Sequence, residues 1–233
     1  MAAVDAVSLE VPAGERRAII GPNGAGKTTL FNAVTGAVRA TGGRILLGGQ
    51  DVTRMATHRR AALGLCRTFQ VTNLFPRLTV AQTMRLALRG TAGRHFALFG
   101  RDRLSPEQQA RMARALDAAR VGARLETPVA SLSYGEQRQL ELAMALAADP
   151  AVLMLDEPAA GLSPSERGVV ADIVRGLPGS MTVVLIEHDM DLVLNLVDRI
   201  TVLVTGRLLL EGSPADIRSS ATVQDVYLGR PHA

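Results

Sequence analysis

Along the 233 residues, the apolar positions gather into five short, mostly hydrophobic runs: 16–20 (RRAII), 65–69 (LCRTF), 151–155 (AVLML), 182–186 (TVVLI) and 200–204 (ITVLV). Runs of this length without strict alternation are the pattern of parallel strands covered on both faces. Helical stretches lie between most of them, so the pattern predicts an α/β fold around a mostly parallel sheet. Two further segments, TGGRILLGGQDV near Gly43 and ITVLVTGRLLLEG around Gly206, put glycine where a tight turn needs it and predict hairpins. From about Leu78 to Ser131 no strand pattern occurs; the chain offers TVAQTMRLALRG and SPEQQARMARALDAARVG, with Ser105 as a cap and Pro106 at the first helical position. Another helix is predicted behind Ser133, where Glu136 stands at capping-box spacing and Leu140, Ala143, Met144 and Ala147 form a core stripe.

Composition narrows the class. With 47% hydrophobic and 21% charged residues, the chain reads as one folded domain, with room for an inserted lobe. Its apolar runs are far shorter than the ~18 residues that a spanning helix requires. The N-terminus carries Asp5 and Pro12 and has no basic region ahead of an apolar run, so a secretory signal is not expected and the cytoplasmic side is. Cys66 is the single cysteine; it has no partner for an intramolecular disulfide or a metal site and is read as a small core residue. The net charge of +4 is dispersed and aromatics make up only 3%, which argues against a nucleic-acid platform. Lys27 is the only lysine among 26 basic residues. A position indifferent to arginine would be arginine, as at every other basic site.

That lysine stands in Gly21-Pro22-Asn23-Gly24-Ala25-Gly26-Lys27-Thr28, which fits G-x-x-x-x-G-K-[ST] directly after the first predicted strand and before a helix. Glycines let backbone N–H groups converge on phosphate oxygens, the helix N-terminus adds favourable partial charge, and Lys27 reaches the β and γ phosphates as a compact point charge. Thr28 is the expected hydroxyl ligand of Mg²⁺. Such a loop also suits a kinase or a GTPase. The segment VLMLDEPAAGLSPSE adds Asp156 and Glu157 at a strand exit, one placed to hold Mg²⁺ through water and the other to polarise an attacking water. LIEHDMD delivers His188 to the same sheet edge, and Gln70 follows another strand, where an amide could contact metal and water.

These residues resemble the ATP-binding subunits of ABC transporters over essentially the whole chain. Lys27 and its loop are similar to the Walker A motif, Gln70 to the Q-loop and Leu132-Ser133-Tyr134-Gly135-Glu136 to the signature. LMLDEP resembles Walker B, AAGLSPSE with Gly161, Leu162 and Ser163 the D-loop, and His188 the switch histidine. The resemblance implies ATP and Mg²⁺ as cofactors and a P-loop NTPase of RecA-like type, with a flanking antiparallel β subdomain. Residues 1–77 and 150–233 would form the core and 78–149 an inserted helical subdomain. It further implies a head-to-tail pair of ATPase subunits, each ATP lying between one P-loop (Gly21 to Thr28, with Thr29) and the other subunit's signature, where Ser133, Gly135 and Glu136 meet the nucleotide. Glu157 becomes the general base and His188 orients the water; Thr28, Gln70 and Asp156 serve the metal, and Gln70 reports to the permease.

Within the family, CRTFQVTNLFPRLTV, LSYGEQRQLELA, DEPAAGLSP, LIEHDMDLV and the terminal VYLG look most like ATPases of branched-chain amino acid importers, with urea and amide importers close by. Tyr134 and Glu136 replace the family's usual glycine and glutamine, as that branch commonly tolerates. The partners implied are two integral-membrane permeases and, indirectly, a periplasmic solute-binding protein, with the chain peripheral at the cytoplasmic face of the membrane. The competing readings are a soluble cassette ATPase acting on ribosomes or DNA, a binding-only subunit and a lipid exporter. The family also carries an N-terminal strand and an aromatic that stacks on adenine, whereas here the first aromatic is Phe31. The expectation is that the recorded start lies downstream of the true one, or that the chain is a truncated copy.

Overall fold

A computed structural model describes residues 3–68, 74–91 and 104–228. Its centre is β1 (Arg16–Ile20), which pairs in parallel with β6 (Thr182–Ile186) on one side and β7 (Arg199–Val204) on the other. Beyond β6 lie β5 (Val152–Asp156) and then β4 (Leu65–Arg67), both parallel, and β8 (Arg207–Gly212) closes the opposite edge antiparallel to β7. The order is β4-β5-β6-β1-β7-β8, and with only the β7–β8 pair antiparallel the sheet is mostly parallel, as expected from the apolar runs. Val183, Leu185, Leu153, Leu155, Ala18 and Ile20 feed one large core, while Ile19, Met154, Val184 and Ile186 point to the opposite face and join a second cluster with Phe31. That two-sided burial is why these strands read as continuous apolar runs.

Both hairpins form. β2 (Leu46–Leu47) pairs with β3 (Gln50–Asp51) in a separate two-stranded sheet, and β7 turns into β8 through Thr205-Gly206. Residues 3–14 form no strand. The Asp5 N–H instead donates to the Gly206 carbonyl at 2.7 Å, and Asp5 pairs with Arg207. The helical stretch is α3 (Val80–Thr91), α4 (Pro106–Ala118) and α5 (Tyr134–Leu146), and among its described residues no strand occurs. Ser105 and Ser133 cap α4 and α5 in complete capping boxes with Gln108 and Glu136. Burial on α5 is wider than the stripe read from the sequence: Leu142 and Ala145 are buried as well, and Met144 only half-buried. The reason is that α5 packs on both α3 and α4 while joining the core of the sheet. Cys66 is half-buried against that core, and burial pushes its thiol pKa up.

α1 (Lys27–Thr35) follows the glycine loop, and its C-terminal carbonyls are satisfied from outside the helix. Arg60, in α2 (Thr57–Ala62) and only 2% exposed, donates to the carbonyls of Ala33 (2.7 Å), Val34 (2.5 Å), Met55 (2.9 Å) and Thr53 (3.1 Å). Arg60→Met keeps much of the volume but takes the arginine donors from the Val34, Met55 and Thr53 carbonyls, while Ala33 keeps the Gly36 N–H; each acceptor left unpaired costs ~1–3 kcal/mol. A net loss of about 3 kcal/mol, or roughly 6–12 °C in a thermal melt, is expected. A melting temperature unchanged within about 2 °C contradicts it.

Candidate functional site

Three neighbouring strands end together. Ile19 of β1 and Asp156 of β5 are both in register with Ile186 of β6, so the glycine loop, the acidic pair and the histidine leave the same edge of the sheet. This is where open parallel sheets bind ligands. The remaining elements around it are α6 (Pro164–Arg175), behind Asp156 and Glu157, and α7 (Met190–Leu196), behind His188.

In the loop, a Cβ at Gly21 would collide with the Leu203 carbonyl, and Gly26 holds φ 97 with its open side against the carbonyl of Ala3, so neither tolerates a side chain. Asn23, Gly24 and Thr28 face solvent, Ala25 is buried and Thr29 half-buried. Lys27, 6% exposed, folds back into the loop and donates to the carbonyls of Gly21 (2.7 Å) and Pro22 (3.0 Å). Burial pushes its ammonium pKa down, opposed by the charges of Glu157 and Asp156. The lysine is thus held beside both acids by two neutral acceptors. Anionic phosphate oxygens make stronger charge-assisted bonds than carbonyls do.

Glu157 adopts φ 49, unusual for a residue with a side chain, and its N–H donates to the Ile186 carbonyl at 3.0 Å. Its Oε1 lies 2.6 Å from Nε2 of His188, so the structure brings this expected pair together. Asp156 is 2% exposed, and its Oδ2 pairs with Nη2 of Arg67 at 2.6 Å. Arg67 also donates to Oδ1 of Asn32 at 2.5 Å and lies over the Phe31 ring. In the sequence, Arg67 is marked only as a charge inside the apolar run LCRTF. Gln70 lies outside the described residues.

The signature residues sit elsewhere. Ser133, Gly135 and Glu136 line one cavity with Arg124, Gln139, Glu166 and Val169, while Glu157 and His188 line another. The two share no lining residue. Glu136 spends one carboxylate oxygen on the Ser133 N–H at 2.8 Å and the other on Arg124 at 2.9 Å. The Gly135 N–H donates to Oε1 of Glu166 at 3.2 Å. Hydrogen bonds from the Ser163 side chain and backbone, then from Gly135, hold the Glu166 carboxyl below its usual pKa. Tyr134, the departure from glycine, lays its ring beside Gly161 and accepts from Arg138 at 3.2 Å. Phe31 is fully buried in α1 and does not offer its face to a nucleotide.

A glycine loop between a central parallel strand and a helix, with acids delivered by the next strands but one, defines a P-loop NTPase. Comparison with known proteins sharpens the class. The ABC transporter family model matches residues 4–160. The high-affinity branched-chain amino acid transport ATP-binding protein LivG of Escherichia coli (strain K12) is 39% identical over 236 residues, covering 97% of this chain and 92% of its own. Its counterpart BraF of Pseudomonas aeruginosa is 37% identical with the same coverage. Among solved structures, the ADP conformation of MJ1267, an ATP-binding cassette of an ABC transporter, matches with a TM-score of 0.85 at 28% identity over 98% of this chain and 93% of that one. The chain belongs to the ABC transporter family, as an ATP-binding ATPase subunit.

Proposed function

We propose that this protein hydrolyses ATP to drive uptake of branched-chain amino acids through a membrane permease, as one of two paired ATPase subunits. The observation that carries the substrate is the 39% identity to LivG along almost the full length of both chains. The pairing is supported by the separation of the Ser133–Gly135 cavity from the Glu157–His188 cavity within one chain. Each half-site then needs a second subunit to supply the missing half. We also infer the division into a core of residues 1–77 and 150–233 with a helical subdomain at 78–149.

The phosphates fit the loop: its glycines keep the backbone open, and Lys27 exchanges the Gly21 and Pro22 carbonyls for β and γ oxygens. Thr28 and Asp156 suit Mg²⁺, which takes one or two protein oxygens and completes its shell with phosphate and water. The bound ion would neutralise charge on the phosphate oxygens. Glu157 orients the attacking water and takes its proton, and His188 fixes the Glu157 carboxylate through the 2.6 Å contact. Ser133 and Gly135 of the second subunit would offer their hydroxyl and N–H to the γ phosphate; Glu136 holds the head of that helix in shape. Gln70 would sense the metal and the permease, with a periplasmic binding protein delivering the solute. In this reading the chain would attach at the cytoplasmic face through the permease; no helix of the described residues is long and apolar enough to cross a membrane.

The test is affinity capture of the tagged protein from detergent-solubilised membranes. Recovery of integral-membrane permease subunits is expected. Recovery of ribosomal or DNA-associated proteins without a permease would defeat the transporter reading.

A further inference from the structure

Glu187 directly follows β6 inside the protein, 4% exposed, and the mechanism above leaves it without a task. Its Oε1 accepts the Ala159 N–H at 2.9 Å and its Oε2 the His188 N–H at 3.1 Å. Among the described residues, no arginine or lysine forms an ion pair with it. A buried carboxylate held only by backbone donors is costly to desolvate and demanding in geometry, so it fixes the groups that hold it. Those groups belong to the two turns on either side of the Glu157–His188 pair. The turn that starts at Ala159 continues to Gly161, against the Tyr134 ring, and on to Glu166, whose carboxylate receives the Gly135 N–H. Arg167 runs a parallel strap on the exposed side, donating to the Leu162 carbonyl at 3.0 Å and to Asp189 at 3.1 Å. A continuous chain of contacts therefore leads from His188 through Glu187 and residues 159–166 to the head of α5.

We infer that Glu187 is a positioning residue that sets His188 against Glu157 and ties this hydrolytic pair to the signature end of the same subunit. The inference rests on Glu157 being the general base. In a paired arrangement the signature end faces the other subunit's ATP, so Glu187 is the joint by which engagement there is felt at the subunit's own hydrolytic pair. Two packed turns sharing one buried acceptor are held in one relative position, whereas without it only the exposed Arg167 strap and the Glu157–His188 contact itself join them.

The test measures steady-state ATP hydrolysis, binding of a fluorescent ATP analogue and thermal stability for Glu187→Ala and Glu187→Gln, with Glu157→Gln alongside. Glu187→Ala is expected to lower kcat at least about tenfold while nucleotide affinity stays within about twofold, since the P-loop is untouched. Glu187→Gln retains one acceptor oxygen and recovers part of kcat. Combined with Tyr134→Ala, Glu187→Gln loses less than the sum of the two single effects, the mark of shared coupling. Unchanged kcat in Glu187→Ala overturns the inference; so does a kcat loss matched by equal losses of affinity and stability, or strict additivity with Tyr134→Ala. If Glu157→Gln itself hydrolyses ATP normally, the general-base reading fails instead. A dead Glu157→Gln beside a fully active Glu187→Ala isolates the failure to Glu187.

Discussion

Glu157→Gln is expected to lower ATP turnover by about 10²- to 10⁴-fold, the range that a positioned general base contributes. The substitution keeps the shape of the side chain and asks nothing new of the backbone at φ 49. It also keeps an acceptor or donor for His188, 2.6 Å away. What it removes is the capacity to take a proton from water. ATP binding, carried by the loop from Gly21 to Thr28, should survive, so the variant accumulates as an ATP-bound pair detectable by size-exclusion chromatography with excess nucleotide. Hydrolysis at the unmodified rate would overturn the assignment of Glu157 as base.

Lys27→Arg is the second large effect, although charge is conserved. The Lys27 ammonium occupies a buried slot where two loop carbonyls at 2.7 and 3.0 Å receive it. A planar guanidinium is wider and offers its donors in a rigid fork, so it does not fill that slot as a point charge does. Turnover should fall by at least about 10²-fold, some 2.7 kcal/mol of lost stabilisation of the phosphoryl-transfer transition state. A fully active arginine variant would show that the lone lysine among 26 basic residues is incidental.

The sheet was legible because its strands are buried on both faces: the runs at 16–20 and 182–186 coincide with β1 and β6 to the residue. The cap at Ser105 and the capping box at Ser133 were equally readable, since each device lies within four residues; that Gln108 completes a box at Ser105 as well came from the structure. Glu157 and His188, 31 residues apart, were placed at strand exits on one edge of the sheet, and their joint role came from the family resemblance; the contact itself has no signature in spacing. Contacts joining loops from distant parts of the chain left no periodic trace. Arg67 meets Asp156 across 89 residues, and Glu187 meets Ala159 across 28; neither distance has any signature in spacing. The width of burial on α5 was hidden because a stripe records one packing partner and this helix has several. Residues 3–14 form no strand and are fastened at Asp5 to Gly206 and Arg207.

The most direct measurement is uptake of labelled leucine, isoleucine and valine into liposomes holding this protein with its co-purified permease subunits, supplied with internal ATP and Mg²⁺ and with the solute-binding protein outside. The expected result is ATP-dependent accumulation that disappears when Glu157→Gln replaces the wild-type chain. Efficient hydrolysis without accumulation of any of the three amino acids would contradict the assigned substrate, and accumulation undiminished by Glu157→Gln would contradict the mechanism.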